Sequence, residues 1–226
     1  MTGRALGLLL FLGLYACGKQ TYKHPYSEFF FPYNEEVKVY VFKDHKNALK
    51  EQYYRVFGIN DSYGKHIVLE MYSEDARLLQ AYNYQADSLF VMDHMVVDRN
   101  KKKLKALLMK RDLFPGSVDE QSWFASKFPG FRDSTIILSE IKRNFVEASP
   151  QKMQVMDESR NVIVFRDTMR MTAINLGNKK ENQVQSVFKV YFAEGVGLFR
   201  IEGEEGRADL RLDRILSQEE WLRAMK

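Results

Sequence analysis

One cysteine, Cys17, occurs in the 226 residues of this chain. A single thiol excludes an intramolecular disulfide and a cysteine zinc cluster, so the folded part must be held by its core alone. A long apolar run is also missing. The best stretch, residues 5–14 (ALGLLLFLGL), falls short of the roughly 20 residues a bilayer-spanning helix needs. No later segment approaches that length without charges. The sequence has no Gly-x-Ser-x-Gly elbow, no His-Glu-x-x-His and no Ser-x-x-Lys with its partner motifs. Its histidines, His24, His45, His66 and His94, show no metal-ligand spacing. No catalytic residue, metal site or cofactor is therefore assigned. A formal net charge of +4 is too small an excess to suggest nucleic acid as a partner.

The residues that are present first describe an address. Arg4 precedes the apolar run, Ala16 and Cys17 close it, and Gly18-Lys19-Gln20 turns polar. A charged start, a short apolar middle and a small residue before the cut are the parts of a secretory signal. Leu14-Tyr15-Ala16-Cys17 resembles the lipobox of bacterial lipoproteins. That resemblance implies a signal peptide over residues 1–16, lipid attachment at Cys17 with palmitate-type acyl chains, and a membrane partner engaged through that lipid. Gly18 is not the aspartate associated with inner-membrane retention, so the resemblance points to the outer membrane of a Gram-negative cell envelope.

The rest reads as one body. Hydrophobic content of 45% and charged content of 28% are ordinary for a soluble globular chain with one sizeable core. Residues 17–35 form a lipidated N-terminus and aromatic tether, carrying Tyr22, Tyr26, Phe29, Phe30, Phe31 and Tyr33. So many aromatics are rarely left solvated, so an extended arm packed onto the body competes with a membrane-touching tether. Residues 36–226 form a single mainly antiparallel β domain. Val37, Val39 and Val41 alternate with Lys38, Tyr40 and Phe42, and turn clusters recur about every dozen residues between aromatic and β-branched runs. Strands are expected over 37–43, 53–60, 65–71, 78–84, 89–97 and 104–109, then over 134–148, 153–156, 162–174 and 184–193.

Two stretches read as helical. Ser117 and Glu120 form a capping box, with Phe124 and Phe128 on one helix face and Pro129-Gly130 as a stop. Ser217 and Glu220 form a second, with Leu216 and Trp221 as a hydrophobic staple; a short helix from Gln218 should dock Trp221 and Met225 on the body. A hairpin follows Gly195, turning at 203–206. It should set Glu202 opposite Arg207, Arg200 opposite Asp209, Ile201 opposite Ala208 and Phe199 opposite Leu210. Gly195-Val196-Gly197 should mark a bulge or a close backbone approach. The surrounding YFAEGVGLFRIE resembles a phrase found near the end of β-rich envelope proteins of uncharacterised function.

The fold class is thus mainly β: an antiparallel meander forming a large curved sheet or open barrel, with one central and one C-terminal short helix. The central helix should cover the concave side. In outline this resembles the lipoprotein carrier and receptor proteins of the periplasm. Twelve Tyr, sixteen Phe and ten Met on a curved sheet suit a binding surface for an apolar or acyl ligand. A structural or assembly component meeting other envelope proteins is the alternative, and an envelope-acting enzyme ranks last. Lys101, Lys102, Lys103 and Lys105 stand as an anionic-headgroup contact, against the plainer reading of a solvated turn guarding a strand edge.

Overall fold

The computed structural model describes residues 22–47, 50–130, 134–206 and 208–225. The lipobox and the hairpin position Arg207 lie outside these residues. Among the described residues fourteen strands form one antiparallel sheet. They are β1 (Lys38–Asp44), β2 (Glu51–Asp61), β3 (Gly64–Tyr72), β4 (Leu78–Gln85), β5 (Val91–Val97), β6 (Lys103–Lys105) and β7 (Leu107–Arg111). There follow β8 (Ser122–Pro129), β9 (Thr135–Phe145), β10 (Gln151–Val155), β11 (Glu158–Asn175), β12 (Glu181–Ala193), β13 (Gly197–Gly203) and β14 (Asp209–Ser217). One helix, α1 (Gln218–Ala224), ends the described chain.

The order is β6-β5-β4-β3-β2-β1-β14-β13-β12-β11-β9-β8-β7, with β10 attached to β11 alone. Its two path ends, β6 and β7, are separated in sequence by Ala106 only. The former pairs with β5 and the latter with β8, and Ala106 N–H donates to the His94 carbonyl at 2.8 Å. The stretch expected as one strand over 104–109 is therefore split between two neighbours. That split brings the sheet to a nearly closed barrel and leaves few edge groups to template another chain.

Alternation along the strands sends one face inward. Tyr40 and Phe42 of β1 join the interior cluster with Tyr54, Val56, Ile67, Leu69, Tyr84, Phe124, Phe165 and Phe192. The opposite face of β1, Val39 and Val41, is equally buried, because α1 covers it with Trp221. The capping box at Ser217 and Glu220 forms as expected, and Leu216 and Met225 pack beside Trp221.

The central helix does not form. Ser122–Pro129 is strand β8, and the capping-box residues before it make only a turn, with Glu120 accepting from the Gly116 N–H at 3.1 Å. Phe124 and Phe128, four residues apart, share a face in a strand as well as in a helix. The inward residues that alternate with them, Ser122 before Phe124 and Ser126 between the two, are polar and so hide the period of two. Among the described residues no helix therefore covers the concave side; one end of the barrel is stoppered by two other segments. The N-terminal arm inserts Phe29, Phe30 and Phe31, and the connection after β7 inserts Leu113, Phe114 and Pro115. Burying each of the three arm phenylalanines contributes about 2 kcal/mol. Backbone bonds tie the arm to the turns at that end: His24 N–H to the Asp87 carbonyl at 2.7 Å, and Gly195 N–H to the Glu28 carbonyl at 2.9 Å.

Gly197 makes the close approach expected of it. A Cβ there would lie 2.7 Å from Phe31 Cδ1, at a φ of +95°. The β13–β14 hairpin forms with its register displaced. Ile201 faces Leu210, Glu202 faces Asp209 and Arg200 faces Arg211. The turn sits one position later than expected: it holds a short 3-10 segment, Glu204–Gly206, and is closed by Gly203 N–H on the Ala208 carbonyl at 2.9 Å. A displacement of two keeps every side chain on its face, and Arg200 still reaches Asp209 diagonally, Nε to Oδ1 at 3.0 Å.

Candidate binding cavity

Above the aromatic stopper the barrel interior is hollow. The cavity measures about 590 Å³ and is lined mainly by apolar side chains of strands on all sides, within the roughly 300–1,000 Å³ range of small-molecule sites. Its floor rests on Phe30 and Phe192, which are 2% and 4% exposed. At the other end Met171, also in the lining, is 40% exposed, while Met71, Gln80, Phe128 and Phe188 are half-buried. The cavity therefore opens at the end away from the arm. Leu69, Ile141, Met169, Val190, Ile201 and Leu210 form the apolar wall between.

Two polar devices interrupt that wall. On the floor, Arg143 of β9 grips Asp167 of β11 with two bonds, Nε to Oδ1 and Nη2 to Oδ2, both 2.7 Å. The guanidinium lies over the rings of Phe114, Phe165 and Phe192, its Cζ 4.9, 5.0 and 5.2 Å from their centroids. Arg143 Nη1 is buried without a hydrogen-bond partner. β9 and β11 place Arg143 directly opposite Asp167, so sheet register, not sequence proximity, makes the pair. Close by, Tyr84 has its hydroxyl proton held far more tightly than in water, because it is buried.

The second device is His94 on β5. Its ring stacks on Tyr82 at 4.4 Å and 3°, with Nδ1 3.0 Å from Ser126 Oγ and Nε2 3.4 Å from Gln80 Oε1. An amide oxygen only accepts, so Nε2 carries the proton and Nδ1 accepts from Ser126. Burial lowers the ring's pKa to about 4, against a smaller opposing pull from Asp93. A serine beside a neutral histidine suggests a nucleophile and its base. Ser126, however, is wholly buried and absent from the cavity wall, so its hydroxyl meets no ligand. The trio holds β4, β5 and β8 together at the barrel's closure.

The remaining sequence-marked residues fall outside the cavity. Lys101 and Lys102 are exposed in the β5–β6 turn, where Lys102 N–H donates to Asp98 Oδ1 at 2.8 Å. Pairing of Met71 with Gln80 and of Gln80 with Val96 puts that turn at the open end. Lys103 is exposed at the start of β6, and Lys105 pairs with Asp93 at 2.9 Å. His45 lies in a turn, and His66 Nε2 is 3.1 Å from Asp61 Oδ1. His24 is buried at the closed end, its pKa lowered by desolvation. No grouping of His, Cys, Asp or Glu among the described residues suits a metal ion. Arg143 and Asp167, 24 positions apart, were not singled out by the sequence; only the excess of Met and aromatic residues signalled an apolar interior.

A nearly closed antiparallel barrel, stoppered at one end and hollow at the other, is the class of molecule these features define. No family model matches the chain, and no curated protein does. Among solved structures it is similar to a candidate lipoprotein from Parabacteroides distasonis ATCC 8503, at 12% identity and a TM-score of 0.49, over 83% of this chain and 98% of that one. It is also similar to a candidate exported protein with a YmcC-like fold from Bacteroides fragilis NCTC 9343, at 14% identity and a TM-score of 0.40, over 83% and 99%. Neither likeness assigns a residue or an activity.

Proposed function

We propose that this chain is a lipid-anchored envelope protein that holds an apolar or acyl ligand inside its barrel. The observation that carries the ligand reading is the 590 Å³ apolar cavity, open at one end. A protein with no use for such a void would fill it, since each unfilled volume forfeits packing energy. The anchor rests on Leu14-Tyr15-Ala16-Cys17, with Cys17 as the lipid attachment and Gly18 favouring the outer membrane. The exposed lysines of the β5–β6 turn, Lys101, Lys102 and Lys103, sit where an anionic membrane would meet the mouth during transfer of the ligand.

Native mass spectrometry of protein extracted from membranes tests this directly. Retained lipid on the wild type, absent from Met169→Trp with its filled cavity, is the expected result. Repeatedly clean masses for both would overturn it. The same spectra read the N-terminus, where an unmodified Cys17 would remove the anchor. One observation favours a second role: Leu176 and Val184, at the β11–β12 tip, are 57% and 67% exposed. Those residues suit contact with another envelope protein, and cross-linking in intact cells from that tip would capture it.

A further inference from the structure

The cavity floor carries a charged pair where an apolar barrel needs none. Exchanging a buried ion pair for apolar residues of similar volume is often neutral or stabilising, so stability alone does not account for Arg143 and Asp167. Both line the cavity instead of being packed away from it. Each also keeps capacity in reserve. Arg143 has five N–H donors, of which Asp167 takes one from Nε and one from Nη2, and Nη1 has no partner. The Asp167 carboxylate has four acceptor positions and receives two bonds from Arg143. The floor thus offers the second Nη2 N–H beside spare acceptor positions of Asp167, with one positive and one negative charge.

From that balance we infer that the ligand enters polar end first and that this end is uncharged, a hydroxyl above all. A hydroxyl donates to Asp167 and accepts from Arg143 together. A carboxylate would leave the buried floor with an excess negative charge, surrounded by Phe30, Phe192 and Tyr84, and would meet the desolvation penalty uncompensated. A plain hydrocarbon would leave the reserve unused. The inference rests on the ligand-binding reading and adds the chemical class of the ligand: a long-chain alcohol or similar neutral amphiphile.

Displacement of bound Nile red by three probes of equal chain length, dodecane, dodecanol and dodecanoate, measured at about pH 8 where the acid is ionised, tests it. Dodecanol should displace the dye at about a tenfold lower concentration than dodecane, the worth of one or two well-made hydrogen bonds. Dodecanoate should be weaker than dodecanol. In Arg143→Met/Asp167→Leu the cavity stays apolar, and dodecane should bind as before while the preference for the alcohol disappears. Arg143→Gln/Asp167→Asn, which keeps a neutral hydrogen-bonding pair of similar volume, should retain it. Equal displacement by alcohol and alkane in the wild type, or dodecanoate as the tightest probe, would overturn the inference and leave the cavity reading intact. A barrel that binds neither dye nor any probe would remove both.

Discussion

His94 couples the barrel's closure to pH. Its ring is buried and neutral, with a folded pKa of about 4 against 6.5 in the unfolded chain. Below pH 6.5 the unfolded chain takes up a proton that the folded one refuses. Stability is therefore complete above 6.5 and lost progressively as pH falls toward 4, where the loss levels off. The difference corresponds to about 3 kcal/mol. His24, also lowered by burial, adds in the same direction. The carboxylates with lowered pKa, among them Asp44, Asp209 and Asp213, contribute mainly below about pH 5, at the lower edge of this window. Urea midpoints between pH 7 and 4 should therefore fall for the wild type, while His94→Gln, stable or not, should show a much shallower slope. An unchanged slope in the variant would place the titration elsewhere.

Among the elements, the N-terminal arm is the one whose anchoring can be isolated by comparison. Gly197 and Gly64 both hold positive φ, +95° and +109°, but only Gly197 faces a neighbour, with Phe31 backbone atoms 3.0 Å from where a Cβ would sit. Gly64→Ala should cost about 1 kcal/mol from backbone strain alone. Gly197→Ala should lose about 2 kcal/mol more, because the arm must shift and release part of its phenylalanine burial. Equal losses in chemical unfolding would show that the arm is not held there. The arm also marks how far elements were legible in the sequence. Alternation and turn clusters announced most strands, and the capping box announced α1, because each is a local pattern. β8 does not read as a strand because two of its inward positions are serines, Ser126 beside the His94 ring and Ser122 opposite Arg143 in the ladder. The hairpin register slipped because its four-residue turn has no local signal as strong as its flanking charges. The cavity itself was invisible: Arg143 and Asp167 meet only through strand register, and a hollow is a property of the closed sheet, not of any segment.

At the scale of the whole molecule, the two ends of the barrel differ, and the proposed anchor at Cys17 would decide which faces the membrane. The described chain begins at Tyr22, beside Asp87 and Leu113 at the stoppered end. The residues from Cys17 to Tyr22 span at most about 18 Å when fully extended. The eleven residues of β9 run from the mouth to the stopper, about 30 Å once strand tilt is allowed for. With Cys17 acylated, the stoppered end is therefore held close to the anchoring bilayer and the mouth is directed away from it. A ligand would then be exchanged with a carrier or a facing membrane, not with the lipids around the anchor. The lone cysteine makes this measurable: with its sulfur in the thioether of the proposed anchor, an introduced thiol is the only one to label. A fluorophore at Tyr63→Cys, in the β2–β3 turn of the stoppered end, should be quenched strongly by lipid-borne quenchers in reconstituted vesicles. One at Lys179→Cys, in the β11–β12 turn of the mouth end, should be quenched little. The opposite order would mean that the barrel lies over on its side, mouth to the membrane, and that its ligand comes from the bilayer that anchors it.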